Sequence, residues 1–198
     1  MDIEILKLII SYYSLFGGGL DMKNHHIYLV FSNTGTIISK LLHLCTKDNY
    51  VHVSISLDNS FSKMYSFGRL FEYFPIPGGL VEENLKAGLY KKFTNSKCVI
   101  YRIKVTEEQY QFLKKELDNF LLNKKKYKYN LLGLLGFYIN KPIKRKNYYF
   151  CSEFVSHLLI KSKIYNCDKD PSLIKPSDLL KIQTKELVYE GFTHACTV

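Results

Sequence analysis

Residues Val51 to Leu57 (Val-His-Val-Ser-Ile-Ser-Leu) alternate strictly between apolar and polar side chains. Successive strand residues point to opposite faces, so this run predicts a strand with one face in a core and the other carrying His52, Ser54 and Ser56. The polar stretch Asp58 to Lys63 predicts a turn, and Met64 to Phe67 the return strand of a hairpin. A register pairing Leu57 with Met64 would bring Tyr65, Phe67 and Arg69 to the face of His52.

Other segments extend this pattern. His26 to Ser32 and Cys98 to Val105 are rich in apolar and β-branched residues and read as strands. Thr106-Glu107-Glu108 opens a helix through about Asn123, with Thr106 as N-cap and Tyr110, Leu113, Leu117 and Phe120 at helical spacing. Thr36 or Ser39 caps a further helix reaching about Thr46. Pro75, Pro77, Gly78 and Gly79 read as a break. Asn130 to Tyr138 reads as a buried turn or short helix. Ser152 to Lys161 reads as a helix, and Ser177 or Asp178 as the cap of a short terminal one. Central strands with helices between and around them predict an α+β fold with an antiparallel sheet.

The chain has 198 residues, 46% of them hydrophobic, enough for one sizeable core. Ile3 to Leu20 is apolar but opens on Asp2 and Glu4 and is broken by Lys7, unlike the basic start of a secretory signal. It is short for a spanning helix, which needs ~20 apolar residues. Residues 1–22 are therefore expected to form an apolar helical extension, and residues 23–198 a single domain. The expected location is cytoplasmic, or peripheral at a membrane. The net charge of +10 admits an anionic membrane as partner. No zinc-finger spacing, phosphate loop or aromatic RNA-binding signature accompanies the lysines, so nucleic acid is not expected. Five widely spaced cysteines (45, 98, 151, 167, 196) include no two-residue gap of a zinc or redox motif, so neither metal nor disulfide scaffold is expected.

Tyr149-Phe150-Cys151-Ser152-Glu153-Phe154-Val155 places one cysteine between a strand-like run and a helix-like run. A thiol in the first helical turn feels the positive end of the helix dipole, which favours the nucleophilic thiolate. A cysteine hydrolase also needs a base, which imidazole supplies. His25 and His26 are read as turn residues, His43 as a core histidine, His194 as part of the tail. His157 lies too far along the helix to fold back onto Cys151. His52 stands on the polar face of a strand, where its ring is held in place. Glu153 points away from Cys151 and suits the helix dipole as a first-turn charge.

A histidine on a strand (His-Val-Ser-Ile-Ser-Leu), a return strand, and much later a cysteine at a helix start (Phe-Cys-Ser-Glu-Phe-Val) resemble the circularly permuted branch of the NlpC-type papain-like cysteine hydrolases. That branch includes the YiiX- and YycO-like bacterial proteins and the lecithin–retinol acyltransferase relatives. Tyr-Ser-Phe-Gly-Arg (65 to 69), Tyr-Lys-Tyr-Asn-Leu-Leu-Gly (127 to 133) and Pro-Ser-Asp-Leu (176 to 179) resemble further segments, so the likeness spans about residues 28 to 180. It implies a permuted papain-like fold with the nucleophile at a helix N-terminus.

The resemblance also implies catalysis by Cys151 and His52 on an amide, thioester or ester bond, without a cofactor. The substrate would be a peptide, a peptidoglycan-like fragment or a lipid acyl group. Ser152 and Glu153 would lie behind the oxyanion site, where the Cys151 backbone N–H donates. The family often holds the imidazole with a third polar residue on the following strand, and Tyr65 stands nearest that position. A non-catalytic binding module on the same fold is the alternative.

Overall fold

The computed structural model describes residues 25–34, 49–70 and 77–197. The expected N-terminal helix over 1–22 and the helix from Thr36 or Ser39 to Thr46, with His43 and Cys45, lie outside the described residues.

A six-stranded sheet organises the chain. Its strands are β1 (His25–Asn33), β2 (His52–Ser56), β3 (Met64–Arg69), β4 (Gly78–Glu83), β5 (Lys97–Val105) and β8 (Lys185–Phe192), in the order β4-β3-β2-β1-β5-β8. Every neighbouring pair is antiparallel. The short strands β6 (Lys128–Tyr129) and β7 (Tyr148–Tyr149) form a separate parallel pair. The helices are α1 (Gly88–Lys92), α2 (Glu107–Leu122), α3 (Gly136–Ile139), α4 (Cys151–Lys161) and α5 (Pro176–Leu179). The fold is therefore α+β around an antiparallel sheet.

Both faces of the sheet are buried. Val53, Ile55, Phe67 and Leu80 pack with Leu117 and Phe120 of α2 and with Phe154 and Leu158 of α4. The opposite face carries a smaller cluster that includes Val30, Met64, Tyr90, Cys98 and Ile100. Thr106 caps α2: its hydroxyl accepts from the Gln109 N–H, and the Gln109 side chain accepts from the Thr106 N–H.

Several sequence expectations need correction. The β2–β3 register pairs Ser56 with Met64 and Ile55 with Tyr65, one residue away from the expected pairing. A one-residue slip exchanges faces, so Tyr65 joins the face of Ile55 rather than that of His52. Gly78 and Gly79 do not break structure but begin β4, and β8 was not anticipated. His25 and His26 belong to β1; His25 stacks on Tyr110 and contacts the Glu107 carboxylate. His194 is anchored by the Thr94 carbonyl at 2.9 Å. Residues 130–139 form a one-turn 3-10 helix (Leu132–Leu135) followed by α3, and four of their large apolar side chains are exposed.

Phe67 sits fully buried among Phe120, Tyr127, Tyr149 and Phe154. Phe67→Ala should cost about 3–5 kcal/mol, measured as a shift in the urea unfolding midpoint. A shift worth under about 1 kcal/mol would show that this cluster does not carry the core.

Candidate functional site

Three elements converge on the site. His52 opens β2, Glu83 closes β4, and Cys151 is the first residue of α4. The helix starts there because Phe150 is extended (φ −109°, ψ 174°) and the Glu153 carboxylate turns back to accept its N–H at 3.4 Å. Phe150 offers no side-chain acceptor, so only this return half of a capping box forms. Cys151 is 5% exposed, and its Sγ directs its hydrogen toward the Val51 carbonyl at 4.0 Å. Val51 precedes His52, so the thiol meets the sheet where β2 begins.

The His52 Nε2–H donates to Glu83 Oε1 at 2.9 Å. The other carboxylate oxygen accepts from the Ser54 hydroxyl at 2.5 Å and from the Tyr90 phenol at 3.4 Å. With its proton committed, Tyr90 accepts from Ser32 at 3.0 Å. Ser32, Tyr90, Glu83, Ser54 and His52 thus form a polar chain across one face of the sheet.

His52 and Glu83 lie on strands two apart, with β3 between them, a span of about 9.6 Å. Continuing the β2–β3 register sets Gly68 opposite His52. A β-carbon at Gly68 would stand 3.9 Å from His52 Cε1 and 3.8 Å from Glu83 Oε1. The two side chains therefore meet over a position that carries no side chain.

The electrostatics follow from this geometry. Burial disfavours charge on His52, yet the Glu83 carboxylate and the Cys151 side chain, as hydrogen-bonding and Coulombic neighbours, hold it charged well above its ordinary range. Burial likewise works against charge on Glu83, and His52, Ser54 and Tyr90 keep its carboxyl below the usual range. With Nε2 committed to Glu83, Nδ1 is the ring nitrogen available to the thiol.

Beside the thiol lies a small recess of about 20 Å³ lined by Val51, Tyr129, Leu134, Phe137, Phe150, Cys151, Ser152 and Pro176. Burial, and then the neighbouring Cys151, push the Tyr129 phenol upward, so it stays a protonated donor. Among the described residues no group of three or more His, Cys, Asp or Glu side chains is placed to hold a metal.

The structure brings Cys151 and His52 together. Tyr65 does not reach His52, and Glu83 occupies the place at the imidazole for which Tyr65 was the expected residue. The Ser152 hydroxyl donates to the Ile174 carbonyl at 2.7 Å and the Glu153 carboxylate is turned to Phe150, so their side chains support the helix start. His157 makes edge contacts with Phe120 and Tyr149 and stays away from the thiol, as expected. Glu83 and Tyr129 were missed. The Glu82-Glu83 pair closing an apolar Leu80-Val81 step was the available signal, hidden by the glycines before it.

Comparison with protein-family models, curated proteins and solved structures finds no match to this chain. The site's reading therefore rests on its own geometry.

Two measurements probe that geometry. Gly68→Ala places a carbon at ordinary contact distance and should be tolerated, whereas Gly68→Leu should wedge His52 from Glu83. NMR titration should then show the imidazole pKa falling in Gly68→Leu but not in Gly68→Ala; an unchanged value in both would separate Gly68 from the pair. Burial raises the Glu153 carboxyl to about 7, against the opposing Phe150 N–H and Asn130. An unfolded glutamate titrates near ~4.3. The folded chain thus binds more protons between these values, and stability falls as pH rises through that window. Relative to Glu153→Gln, the wild-type melting temperature should drop steadily from acid to neutral pH; parallel curves would contradict the raised carboxyl.

Proposed function

We propose that this chain is a cysteine hydrolase or acyltransferase of permuted papain-like architecture, with Cys151 as nucleophile, His52 as base and Glu83 as the residue that holds the base. The observation that carries this reading is the position of His52, with the Cys151 thiol on one side and the Glu83 carboxylate on the other.

In the first step the Cys151 proton rests on His52, which Glu83 holds charged, and the sulfur it leaves behind attacks the substrate carbonyl carbon. The negative charge that develops on oxygen meets the N-terminal N–H groups of α4, with Tyr129 among the residues lining the same recess. Each such donor can be worth ~3 kcal/mol. The intermediate collapses as His52 passes its proton to the leaving nitrogen, oxygen or sulfur. Water, or an acceptor hydroxyl or amine, gives a proton to His52, attacks the acyl-enzyme and frees the thiol. Glu83 stabilises the imidazolium in both steps without itself becoming protonated.

The lining of the cavity bears on the substrate. Val51, Leu134, Phe137, Phe150 and Pro176 offer mostly apolar surface. Such surface suits a lipid acyl group or an apolar side chain better than a polar peptidoglycan fragment. The binding-module reading draws on the 5% exposure of Cys151, since a substrate must enter through the cavity to reach it.

Alkylation and turnover distinguish the two. Iodoacetamide at neutral pH should label Cys151 in the wild type, with a rate falling about tenfold or more in His52→Ala. On acyl-thioester and p-nitrophenyl ester probes, Cys151→Ala should abolish turnover and Glu83→Gln should lower kcat on the order of a hundredfold. Loss of the carboxylate should also bring the His52 pKa down, because its largest upward influence is gone. If Cys151→Ala leaves every probe turnover unchanged, the binding-module reading replaces the catalytic one.

A further inference from the structure

Residues 119–152 contain eight lysines and arginines and no acidic residue. Within this run Leu131, Leu132, Leu135 and Ile139 are 51%, 50%, 55% and 58% exposed. All four stand on the outward side of the 3-10 and α-helical turns that carry them. The opposite arc is also apolar: Leu134 and Phe137 line the Cys151 cavity, and Phe137 meets the Phe150 ring edge-on at 5.1 Å. Among the described residues nothing covers the outer face, so the element is apolar on its inner and its outer side alike.

This platform is built, not loose. Buried Asn130 accepts from the Gly133 N–H at 3.0 Å and donates to the Ile143 carbonyl at 3.1 Å, tying both ends of the segment together. Gly133 carries no side chain because the Asn130 amide fills the place of its β-carbon. Asn140, in the left-handed region (φ 49°), ends α3 and turns the chain into Lys141 to Lys146. Lys144 bridges Asp170 at 2.5 Å and Arg145 stacks on the Tyr148 ring at 3.6 Å. Lys141 and Lys146 are exposed in the loop that follows the apolar arc.

We infer that the segment 131–146 is a docking surface for an anionic lipid bilayer, with the four aliphatic side chains entering the acyl boundary and the flanking cations resting on the headgroups. The pairing of aliphatic side chains with a margin rich in lysine and arginine is what such an interface needs. Nucleic acid fits less well, because single strands are held by aromatic faces that stack on bases, whereas this arc is leucine and isoleucine. Docked this way, the cavity wall formed by Leu134 and Phe137 lies directly behind the membrane-facing arc. The docking itself does not depend on Cys151 chemistry.

The chain contains no tryptophan, so Leu132→Trp introduces a single fluorescent reporter at the proposed contact. With vesicles of phosphatidylcholine and phosphatidylglycerol its emission should shift to the blue, and with phosphatidylcholine alone it should shift far less. By flotation, Leu132→Glu/Leu135→Glu should weaken binding about a hundredfold. Lys141→Gln/Lys146→Gln should weaken it about twentyfold, with reduced salt dependence. Cys151→Ala should bind as the wild type does, so loss of turnover and loss of docking separate. Circular dichroism checks that each variant is folded.

The inference is overturned if the indole emission of the Leu132→Trp variant does not move on anionic vesicles, even when the protein floats with them through another region such as residues 3–20. It is overturned equally if the double glutamate variant binds like the wild type. A third contrary result is single-stranded RNA binding through these residues that vesicles fail to displace. A fourth is a dimer, seen by sedimentation, that buries Leu132 and persists on vesicles.

Discussion

A carboxylate placed on the face of a sheet and largely removed from water must be surrounded by donors and positive charge, or it will not stay ionised. Glu83 meets that demand with His52, Ser54 and Tyr90, and its side chain is only 14% exposed. The requirement reaches outward from there. It fixes the imidazole through Nε2, commits the Tyr90 proton, and leaves Ser32 on β1 to donate to Tyr90. It also needs β3 to pass between the partners without a side chain, which Gly68 supplies. Strands β1, β2 and β4 are thus linked by one polar chain that passes over β3.

The thiol enters this arrangement from the other side. Cys151 belongs to the core formed with α2 and α4, and it meets β2 only where that strand begins. The site is therefore a junction between a helix N-terminus and a strand end, each held by its own packing. Phe154, Val155, Leu158 and Leu159 bury α4 against the sheet and position its first residue. Among the described residues no helix is long and apolar enough to cross a membrane. The apolar outer arc at 131–139 is a surface feature, set on the platform that also walls the cavity.

Much of the fold could be read from periodicity. The strict alternation of 51–57, the apolar runs at 26–32 and 98–105, and the capped pattern after Thr106 each correspond to an observed element. Their signals are local, since period two and period 3.6 follow from backbone geometry. Cys151 was legible as the first residue of a helix and His52 as a polar-face strand residue. β4 was not legible, because Gly78-Gly79 resembles a break and Glu82-Glu83 resembles a solvated end. β8 was missed as well; its partly exposed Lys-Glu-Leu-Val-Tyr-Glu-Gly-Phe run carries little apolar contrast.

The sequence by itself determined which residues carry reactive groups and which faces of β2 and α2 are apolar, because both are properties of single elements. It did not determine the partner of His52. That choice depended on a strand register, and a shift of one residue moved Tyr65 to the far face. It also depended on bringing Glu83, 31 residues from His52 along the chain, over Gly68 from a strand two places away. Contacts of that kind arise only when several strands assemble, since no local pattern records which side chains will lie across a sheet from one another. The same holds for residues 130–139: their apolar composition was plain, but only the packed structure divided it into an inner arc at the cavity and an outer arc facing water.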